Sequence, residues 1–337
     1  MTRVSVVVLN YNGRHLLEKF LPSVVKFTPG AHVIVADNGS TDDSVEVLRR
    51  TFPTVEIILI PTNLGFCGGY NFAMRQVRST YAVLLNSDVE VTQGWADPVL
   101  TLLDEHHDVA AAQPKILSHR ERTHFEYAGA GGGFIDALGY PFCRGRIFDL
   151  VESDTGQYDD TRPIFWATGA CMFIRTELFH KLGGFDEDFF AHMEEIDLCW
   201  KLKRMGFKVY YVGQSTVYHV GGATLAQGSS RKVYYNFRNG MFLVLKHLRG
   251  GELMWKLPVR VMMDWLAAFV FLFGFPSAFA AVLQAHVSVL SSLGRTLRKR
   301  RRLKVSLGAP HIAGIYPGSV VWKFFVLRKR TYRELEG

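Results

Sequence analysis

Hydrophobic residues form four short, unbroken runs in the first ninety residues of the chain. Each run is apolar throughout rather than alternating with polar residues, which is typical of strands that are covered on both faces of a sheet. The pattern therefore predicts four buried strands, at residues 4–9, 33–36, 57–60 and 82–85.

Amphipathic patterns with a helical period separate these runs. One begins near Arg14, a second follows Ser40, which we interpret as its N-cap, and a third follows Gly68 and Gly69. Strands that alternate with helices are typical of a parallel sheet. The predicted fold class is therefore α/β.

Polar side chains follow each predicted strand where it ends. Ligands of open α/β sheets bind beyond the carboxyl ends of the strands, so four polar strand ends indicate one binding site, although an ordinary Asx turn explains any single position. The residues are Asn10, Tyr11 and Asn12 after the first strand, Asp37 after the second, Asn63 after the third, and Asn86 and Asp88 after the fourth.

Beyond the fourth strand the pattern becomes less regular. Residues 115–165 are rich in glycine and aromatic residues and show no clear period, so we predict a folded loop region. Regular patterns then return. We predict strands at 164–168, 171–174, 208–212 and 216–219, and helices at 176–181 and 194–205.

The last third of the chain contains a long stretch without formal charge, residues 265–283. Its length permits a membrane span, but Gly274 and Pro276 interrupt it. Two amphipathic helices that lie in the membrane interface fit at least as well. We favour such a monotopic or re-entrant attachment, while a true span and a helical hairpin that binds a partner stay open. We divide the chain into an α/β domain at 1–250 and a helical, basic, membrane-associating region at 251–337.

The chain of 337 residues has a formal net charge of +8. Seven cations lie in residues 295–304, and three more follow at 328–330. Such runs indicate an anionic membrane surface as partner, or else a solvated charged turn. They lack the interleaved aromatic residues of proteins that bind single-stranded nucleic acid, so we expect no nucleic acid partner.

Several classes are disfavoured by the motifs that the sequence lacks. There is no GxxxxGK[ST] loop, no GxGxxG after the first strand and no GxSxG elbow, which argues against P-loop, nicotinamide and serine-hydrolase chemistry. The four cysteines form no CxxC pair, and the first residues read as a strand rather than a signal peptide. We therefore expect a reducing cytoplasm.

Six motifs, in this order, carry a family resemblance: VVVLNYNGRHLLEKFLPSV, VIVADNGSTDDS, NLGFCGGYNFAM, LLNSDVEV, GGFDEDFFAHMEEIDLCWKLKRMG and VYHVGG. Over residues 3–245 the chain resembles the inverting family 2 glycosyltransferases, and most closely their rhamnosyltransferase-like branch. The resemblance implies the Rossmann-like GT-A fold, a nucleotide-sugar donor and a divalent cation, Mg²⁺ or Mn²⁺. A dTDP-rhamnose donor is the expectation from the branch.

The resemblance also implies the metal ligands. The family holds its cation with an acidic DxD triplet after the fourth strand, and here the triplet is Asn86-Ser87-Asp88. Asp88 is then one ligand, and His219 of VYHVGG is the second. Hard cations prefer carboxylates, and Mn²⁺ also accepts imidazole. The alternative for His219 alone is a structural histidine.

Donor recognition is implied for the earlier strand ends. Tyr11 resembles the aromatic residue that packs on the base, and Asp37 resembles the carboxylate that accepts from a pyrimidine N–H. Asn63 and Gly65 mark a loop where the backbone approaches the nucleotide closely. We include Asn10, Asn12 and Asn86 in the same nucleotide site.

The acceptor side requires a general base, since the attacking hydroxyl must lose its proton. The resemblance places this base at Glu195, with Glu194 beside the acceptor, whereas the alternative is a helix start supported by an Asp197–Lys201 pair. The segment that lines the acceptor pocket corresponds to Trp166, Thr168 and Gly169, and the alternative for Trp166 is a core residue.

The sequence therefore predicts a metal-dependent inverting glycosyltransferase at the cytoplasmic face of the cell membrane, peripheral or monotopic. Its acceptor would be a cell-surface glycan or a lipid-linked precursor. Two alternatives stay open. One is a catalytically degenerate membrane-bound scaffold that binds nucleotides or glycans, which the incomplete Asn86-Ser87-Asp88 triplet motivates. The other is a processive polysaccharide synthase, which the lack of a QxxRW motif disfavours.

Overall fold

The computed structural model describes residues 2–221, 229–304 and 312–336. The strands are β1 Val4–Asn10, β2 His32–Asp37, β3 Glu56–Leu59, β4 Tyr81–Asn86, β5 Val89–Val91, β6 Val109–Ser118, β7 Gly133–Asp136, β8 Pro141–Cys143, β9 Arg146–Ile147, β10 Leu150–Val151, β11 Thr161–Ile164, β12 Cys171–Arg175, β13 Lys208–His219 and β14 Ile315–Tyr316. The helices are α1 Arg14–Phe27, α2 Ser44–Thr51, α3 Gly65–Met74, α4 Asp97–Glu105, α5 Thr176–Lys181, α6 Glu194–Arg204, α7 Ser230–His247, α8 Gly250–Gly274, α9 Pro276–Lys304, α10 Val320–Phe325 and α11 Tyr332–Glu336.

One half of the central sheet is the parallel array that the apolar runs predict. Its strands lie in the order β3-β2-β1-β4. Asn10 pairs in register with Asp37, and Leu9 pairs with Asn86. The polar residues that end these strands therefore lie along one edge of the sheet. Strands β1 and β4 are buried almost throughout, because α-helices cover both faces.

The other half of the sheet is mixed. Strand β12 runs antiparallel between β4 and β6, and β13 runs parallel to β6. The two strands predicted at 208–212 and 216–219 are one long strand with a register shift between Val212 and Thr216. This strand carries His219 to the edge where β4 ends, since its last residues pair with β5.

The prediction of a loop region at 115–165 is wrong, because part of it forms a second sheet. Strands β7, β8, β9 and β10 form it, and β14 from the far end of the chain pairs in parallel with β7. These strands are only two to four residues long, too short to show a period in the sequence.

Three local predictions are also corrected. Helix α2 begins at Ser44 with Asp43 at its N-cap position, so Ser40 is not the cap. Helix α3 begins at Gly65 and contains Gly68 and Gly69 instead of following them. Residues 165–168 are not a strand, because β11 ends at Ile164.

The break predicted at Gly274 and Pro276 is confirmed. Helix α8 ends at Gly274, Phe275 caps it, and α9 begins at Pro276. By length and composition alone, both helices are long and apolar enough to cross a membrane. The α/β fold with a helical C-terminal extension is thus the observed architecture.

The segments after residue 250 also contact the first domain. The guanidinium of Arg300 in α9 donates to the carbonyl of Leu245 at 2.8 Å. The ring of Tyr332 lies 5.0 Å from that of Phe134 in the second sheet. The division at residue 250 stays a prediction, and residues 312–336 return to the α/β domain through β14.

Candidate functional site

The ends of β1 and β2 are joined by a buried hydrogen-bond network. The side-chain amide of Asn10 donates to Asp37 Oδ1 at 3.0 Å and to Ser40 Oγ at 3.2 Å. The backbone N–H of Ser40 donates to Asp37 Oδ2 at 3.0 Å. Oδ1 of Asn10 is buried and has no partner among the described residues. Because a buried acceptor without a partner is costly, this atom is available to a donor group of a ligand.

Asn12 fixes the loop after β1 in a left-handed conformation with φ of 49°. Its Oδ1 accepts from the backbone N–H of Thr41 at 2.7 Å, and its own N–H donates to Ser40 at 2.9 Å. The neighbouring Tyr11 is exposed. The hydrogen bonds of Asn12 therefore stabilise the loop, and the exposed Tyr11 ring is accessible to a ligand.

The loop after β3 is held by Asn38, which the sequence analysis did not single out. The Asn38 amide donates to Asn63 Oδ1 at 3.1 Å and to the carbonyl of Gly65 at 3.0 Å. Asn63 Oδ1 also accepts from the Gly65 N–H at 2.8 Å. Gly65 has φ of +71°, and a Cβ there would lie 2.7 Å from the ring of Phe190, so only glycine fits.

Asp88 and His219 lie together at the carboxyl end of the sheet, so their predicted proximity is confirmed. Oδ1 of Asp88 lies 3.1 Å from Nε2 of His219. On its other side, Nδ1 of His219 lies 3.2 Å from Oε2 of Glu126. All three side chains are buried. The role of Asp88 and His219 as metal ligands stays a prediction.

The charges of this trio are mutually stabilised. Burial alone would lower the pKa of His219, but the carboxylates of Glu126 and Asp88 outweigh it and raise the pKa to about 10. Burial alone would raise the pKa values of Asp88 and Glu126, but His219 outweighs it and lowers both. The imidazole is therefore cationic between two carboxylates at neutral pH.

Two further features shape this position. Asn86, which replaces the first acid of the family triplet, has its Nδ2 3.4 Å from His219 Nε2. Gly221 has φ of +70°, and a Cβ there would lie 2.3 Å from Glu126 Oε1. Gly222, the last residue of VYHVGG, lies outside the described residues.

Among the residues described, no cluster of three or more His, Cys, Asp or Glu side chains is arranged to hold a metal ion.

The predicted acceptor segment connects this position to helix α6. The N–H of Asn86 donates to the carbonyl of Ala170 at 3.0 Å. A Cβ at the adjacent Gly169 would lie 3.9 Å from Glu194 Oε1. Thr168 is buried, and its N–H donates to Gln113 at 2.9 Å. This segment therefore runs from the end of β4 to the start of α6.

Trp166 lies deeper than the rest of that segment. Its Nε1–H donates to the carbonyl of Phe134 at 2.9 Å, and its buried ring lies against Gly133. This placement matches the core alternative, with the indole N–H already satisfied. A contact between Trp166 and the acceptor stays a prediction.

Glu194 and Glu195 form the first turn of α6, as predicted. Glu194 is buried, whereas Glu195 is half-buried. Burial raises the pKa of both carboxyl groups, and the neighbouring charge of Glu195 raises that of Glu194 further. Each has one oxygen, Oε2, that is buried without a partner among the described residues. A pair of carboxyls with raised pKa values can accept a proton near neutral pH.

Asp197 faces away from this pair, into a charged cluster. It lies 2.6 Å from the Lys201 ammonium, which confirms the predicted i,i+4 pair. It also contacts Lys246 at 2.5 Å and His247 at 2.7 Å. Burial would raise the pKa of Asp197, but the lysines outweigh it and hold the pKa well below its usual range. Asp197 therefore supports the helix.

The loop before α6 has an unusual backbone that the sequence gives no sign of. Phe190, His192 and Met193 all have φ between 63° and 70°, a region that costs a non-glycine residue about 1–3 kcal/mol. The amide of Asn239, fully buried in α7, donates to the carbonyls of Phe189 at 3.1 Å, Ala191 at 2.9 Å and His192 at 2.7 Å. Asn239 therefore stabilises the conformation of the loop that positions Glu194 and Glu195.

A comparison with protein families agrees with this geometry. The model for Glycosyl transferase family 2 matches residues 5–183. That match covers more than half of the chain. The chain belongs to glycosyltransferase family 2. The enzyme class predicted from the motifs is thereby confirmed.

This glycosyltransferase is similar to an N-acetylglucosaminyl-diphospho-decaprenol L-rhamnosyltransferase of Mycobacterium tuberculosis. The two are 27% identical over 323 residues, which cover 90% of this chain and 97% of the relative. The predicted resemblance to rhamnosyltransferases is thus confirmed.

Two solved structures share the fold of this family 2 glycosyltransferase. TarS residues 1–349 of S. aureus has a TM-score of 0.54 at 15% identity, covering 90% of this chain and 86% of that one. The mannosyltransferase PcManGT of Pyrobaculum calidifontis has a TM-score of 0.52 at 16% identity, covering 90% and 85%. At these identities the likeness concerns the fold alone, and it confirms the predicted GT-A architecture.

Proposed function

We propose that this glycosyltransferase moves one sugar, with L-rhamnose as the first candidate, from a nucleoside diphosphate donor to a lipid-linked acceptor, with inversion at the anomeric carbon. We further propose that Mg²⁺ or Mn²⁺ assists and that the enzyme works at the cytoplasmic face of the membrane. The observation that carries the proposal is the meeting of Asp88 and His219 at the same sheet edge as the polar strand ends.

The donor nucleotide would lie across the ends of β1, β2 and β3. Tyr11 is exposed and would stack on the base, while Asp37 and the free Oδ1 of Asn10 would accept its N–H groups. Asn63 and Gly65 would bring backbone close to the sugar and phosphates. Asp37 already accepts from Asn10 and Ser40, but each carboxylate oxygen accepts two hydrogen bonds.

Asp88 and His219 suit a divalent cation. A carboxylate and an imidazole are ligands that Mn²⁺ accepts, and two protein ligands leave positions for diphosphate oxygens and water. A cation bound there would neutralise charge on the departing diphosphate. His219 would bind through Nε2 once that atom is deprotonated, while Glu126 would hold its Nδ1–H. The Pyrobaculum mannosyltransferase was solved with GDP-Man and Mn²⁺.

Glu195 is the proposed general base. It would take the proton of the acceptor hydroxyl as that oxygen bonds to the anomeric carbon and the bond to the diphosphate oxygen breaks. Glu195 fits the role better than Glu194 because it is the more exposed of the two and can reach an entering acceptor. Glu194, beside Gly169, would contact the acceptor itself.

The C-terminal helices support attachment to a membrane, because α8 exposes apolar side chains and buries charged ones, the opposite of a helix on the surface of a soluble protein. The side chains that it buries are mostly charged: Lys256, Arg260 and Asp264, with Ala268. Its exposed side chains include Met254, Trp255, Met262, Trp265, Leu266, Phe269, Val270, Leu272 and Phe273. An apolar face of this extent on the outside of a helix fits a lipid surface.

The contacts of α8 favour a helix that lies in the interface rather than one that spans. Asp264, in its second half, accepts from the hydroxyl of Tyr140 at 3.0 Å. Arg260 donates to the carbonyl of Leu138 at 3.3 Å. The α/β domain therefore lies alongside the middle of α8, where a spanning helix would have lipid. The acceptor named for the mycobacterial relative is itself lipid-linked.

The decisive experiment combines the full-length chain in detergent with dTDP-rhamnose, UDP-GlcNAc and GDP-mannose in turn, and with a short-chain prenyl-diphosphate-GlcNAc acceptor. We expect transfer from one donor, loss of transfer in EDTA, recovery with Mn²⁺ or Mg²⁺, and an inverted anomeric configuration in the product by NMR.

Other outcomes separate the parts of the proposal. Transfer that resists EDTA would contradict the metal, and a retained configuration would contradict inversion. Donor binding by thermal shift without turnover for any donor or acceptor would favour the scaffold alternative, and a growing polymer would favour the processive one.

A further inference from the structure

A second exposed apolar surface lies far from α8 in the sequence. In and after the short helix α10, Trp322 is 57% exposed, Phe325 62%, Val326 51% and Leu327 49%. We call these four residues the α10 patch. Contiguous large apolar side chains in water are unfavourable, and such a patch marks a surface that something else covers.

The side chains on the opposite side of α10 pack on the α/β domain. Val320 and Phe324 are buried. The N–H of Val320 donates to Asp136 Oδ2 at 3.0 Å, and the ring of Phe324 lies 4.8 Å from that of Phe148. The outward direction of Trp322 and Phe325 therefore follows from packing on the second sheet.

Cations lie within and directly after the α10 patch in the sequence. Lys323 lies within it, and Arg328, Lys329 and Arg330 follow it directly. Within the parts of the chain that the structure describes, none of these four forms an ion pair with a carboxylate. An apolar centre with an unpaired cationic rim matches an anionic lipid surface, where rings enter the acyl region and cations meet headgroups.

The segment before α10 and helix α8 both contact one turn of the α/β domain, between β7 and β8. The N–H of Ala137 donates to the carbonyl of Gly318 at 3.1 Å, just before α10. In the same turn, Leu138 accepts from Arg260, and Tyr140 donates to Asp264. The segment that leads into α10 and the buried side of α8 thus contact the same turn.

We propose that the α10 patch is a second bilayer contact, which binds the same anionic membrane as α8 and fixes the orientation of the active site relative to it. This inference rests on the membrane attachment in the proposed function. One helix in the interface still allows the domain to rotate about the helix axis, whereas a second contact from a different part of the domain restricts that rotation.

A second copy of the chain is a less suitable occupant. The chain has a net charge of +8, and two α10 patches placed face to face would bring Lys323, Arg328 and Lys329 of one copy close to the same cations of the other. Trp322 followed by Lys323 and, six residues later, Arg328 is also a combination that suits lipid headgroups, since tryptophan prefers the membrane interface.

Site-specific fluorescence tests this directly. All four native cysteines are buried and free, so a cysteine introduced at the surface can be labelled selectively with an environment-sensitive dye. The variants are Phe325→Cys in the patch, Leu266→Cys on α8 and Leu59→Cys as control, because Leu59 is 52% exposed on the edge strand β3. Each labelled full-length protein is titrated with phosphatidylcholine vesicles that contain or lack 30% phosphatidylglycerol.

We expect a blue shift at 325 and 266 with anionic vesicles, quenching of both by brominated lipids, and no change at 59. A response at 266 without one at 325 would overturn the second contact while leaving membrane attachment in place. No response at either position would overturn the attachment itself. A shift at 325 that depends on protein concentration without vesicles would indicate a second copy and overturn the lipid assignment.

A charge variant provides an independent measurement. Arg328→Gln with Lys329→Gln should lower partition into anionic vesicles by roughly 10-fold or more, since each cation near an anionic surface contributes about 1 kcal/mol. The matched control is Arg49→Gln with Arg50→Gln on the exposed side of α2. Equal losses for both pairs would show a general charge effect and contradict a local contact.

Discussion

Nδ1 of His219 lies 3.2 Å from Oε2 of Glu126 and Nε2 lies 3.1 Å from Oδ1 of Asp88, so the imidazole lies between two buried carboxylates. Carboxylates that hold the second nitrogen of a metal-binding histidine fix its ring and tautomer and raise its basicity. Glu126 is therefore the expected orienting partner of a metal ligand, although it lies in a region without a sequence pattern.

The first prediction concerns Glu126→Gln. We expect it to weaken Mn²⁺ affinity by about 10–100-fold, because loss of such a partner typically costs that factor. The measurement is a Mn²⁺ titration of the transfer rate at saturating donor. Glu121→Gln is the control, since Glu121 is exposed and lies beside His124. An unchanged titration for Glu126→Gln would remove Glu126 from the site.

The second prediction concerns Asp88→Asn, which keeps the shape and removes the charge. We expect metal-stimulated transfer to fall by about 10²-fold or more, since a bound cation contributes several kcal/mol to stabilising the transition state. Asp88 lies at the end of a strand but is buried against His219, so its substitution can also lower stability. Unfolding by denaturant should therefore be measured as well. Wild-type rates in a folded variant would contradict the assignment.

The third prediction separates two neighbouring acids on α6. Glu195→Gln should lower the transfer rate by about 10²–10⁴-fold, the usual contribution of a general base, with donor affinity almost unchanged. Asp197→Asn should instead destabilise the fold by about 3–5 kcal/mol, because it leaves the buried Lys201 without a carboxylate and removes one of the two carboxylates that pair with Lys246. Full activity in Glu195→Gln would move the base elsewhere.

The fourth prediction is a pH dependence. Burial raises the pKa of Glu195 to about 7, and a base works only when deprotonated. The value of kcat/KM should therefore be low at pH 5.5, rise through about pH 7 and level off above it. The measurement is kcat/KM for transfer at a fixed Mn²⁺ concentration across this pH range. A flat profile from pH 5.5 to 8.5 would contradict Glu195 as the group that titrates.

The parallel half of the sheet and its polar edge could be predicted because each strand is a continuous apolar run that ends in Asn or Asp. The second sheet could not, since its strands are very short and β14 reaches β7 from the other end of the chain. Glu126, which lies between β6 and β7, could not be predicted either. It enters the site only through a tertiary contact with His219, which no local pattern encodes.

Side-chain roles inside the predicted edge were also beyond the sequence. Asn38 adjoins Asp37, and both are polar, yet only the fold shows that Asn38 braces the loop at Gly65 while Asp37 joins Asn10 and Ser40. Ser40 resembles an N-cap, but the chain uses it to tie two loops together. Hydrogen bonds between loops that are distant in the sequence, rather than local propensity, determine the roles of these side chains.

The fifth prediction concerns Asn239, whose side chain donates to three carbonyls of the loop before Glu194. Asn239→Ala should release the left-handed residues Phe190 and Met193 and so displace Glu195. A shift of about 1 Å at a reacting group can cost about 10²-fold in rate, so we expect kcat to fall far more than donor affinity. The measurement is kcat and KM for donor and acceptor, per folded molecule.

Asn236→Ala is the matched control, because Asn236 lies on the same helix one turn earlier and its side chain makes no hydrogen bond among the described residues. It should retain wild-type kcat. The midpoint of the pH profile offers a further readout, since a displaced Glu195 loses part of its burial and its pKa should move toward the usual value for glutamate. If Asn239→Ala lowers only the melting temperature, with kcat and the pH midpoint unchanged, Asn239 stabilises the fold without positioning the base.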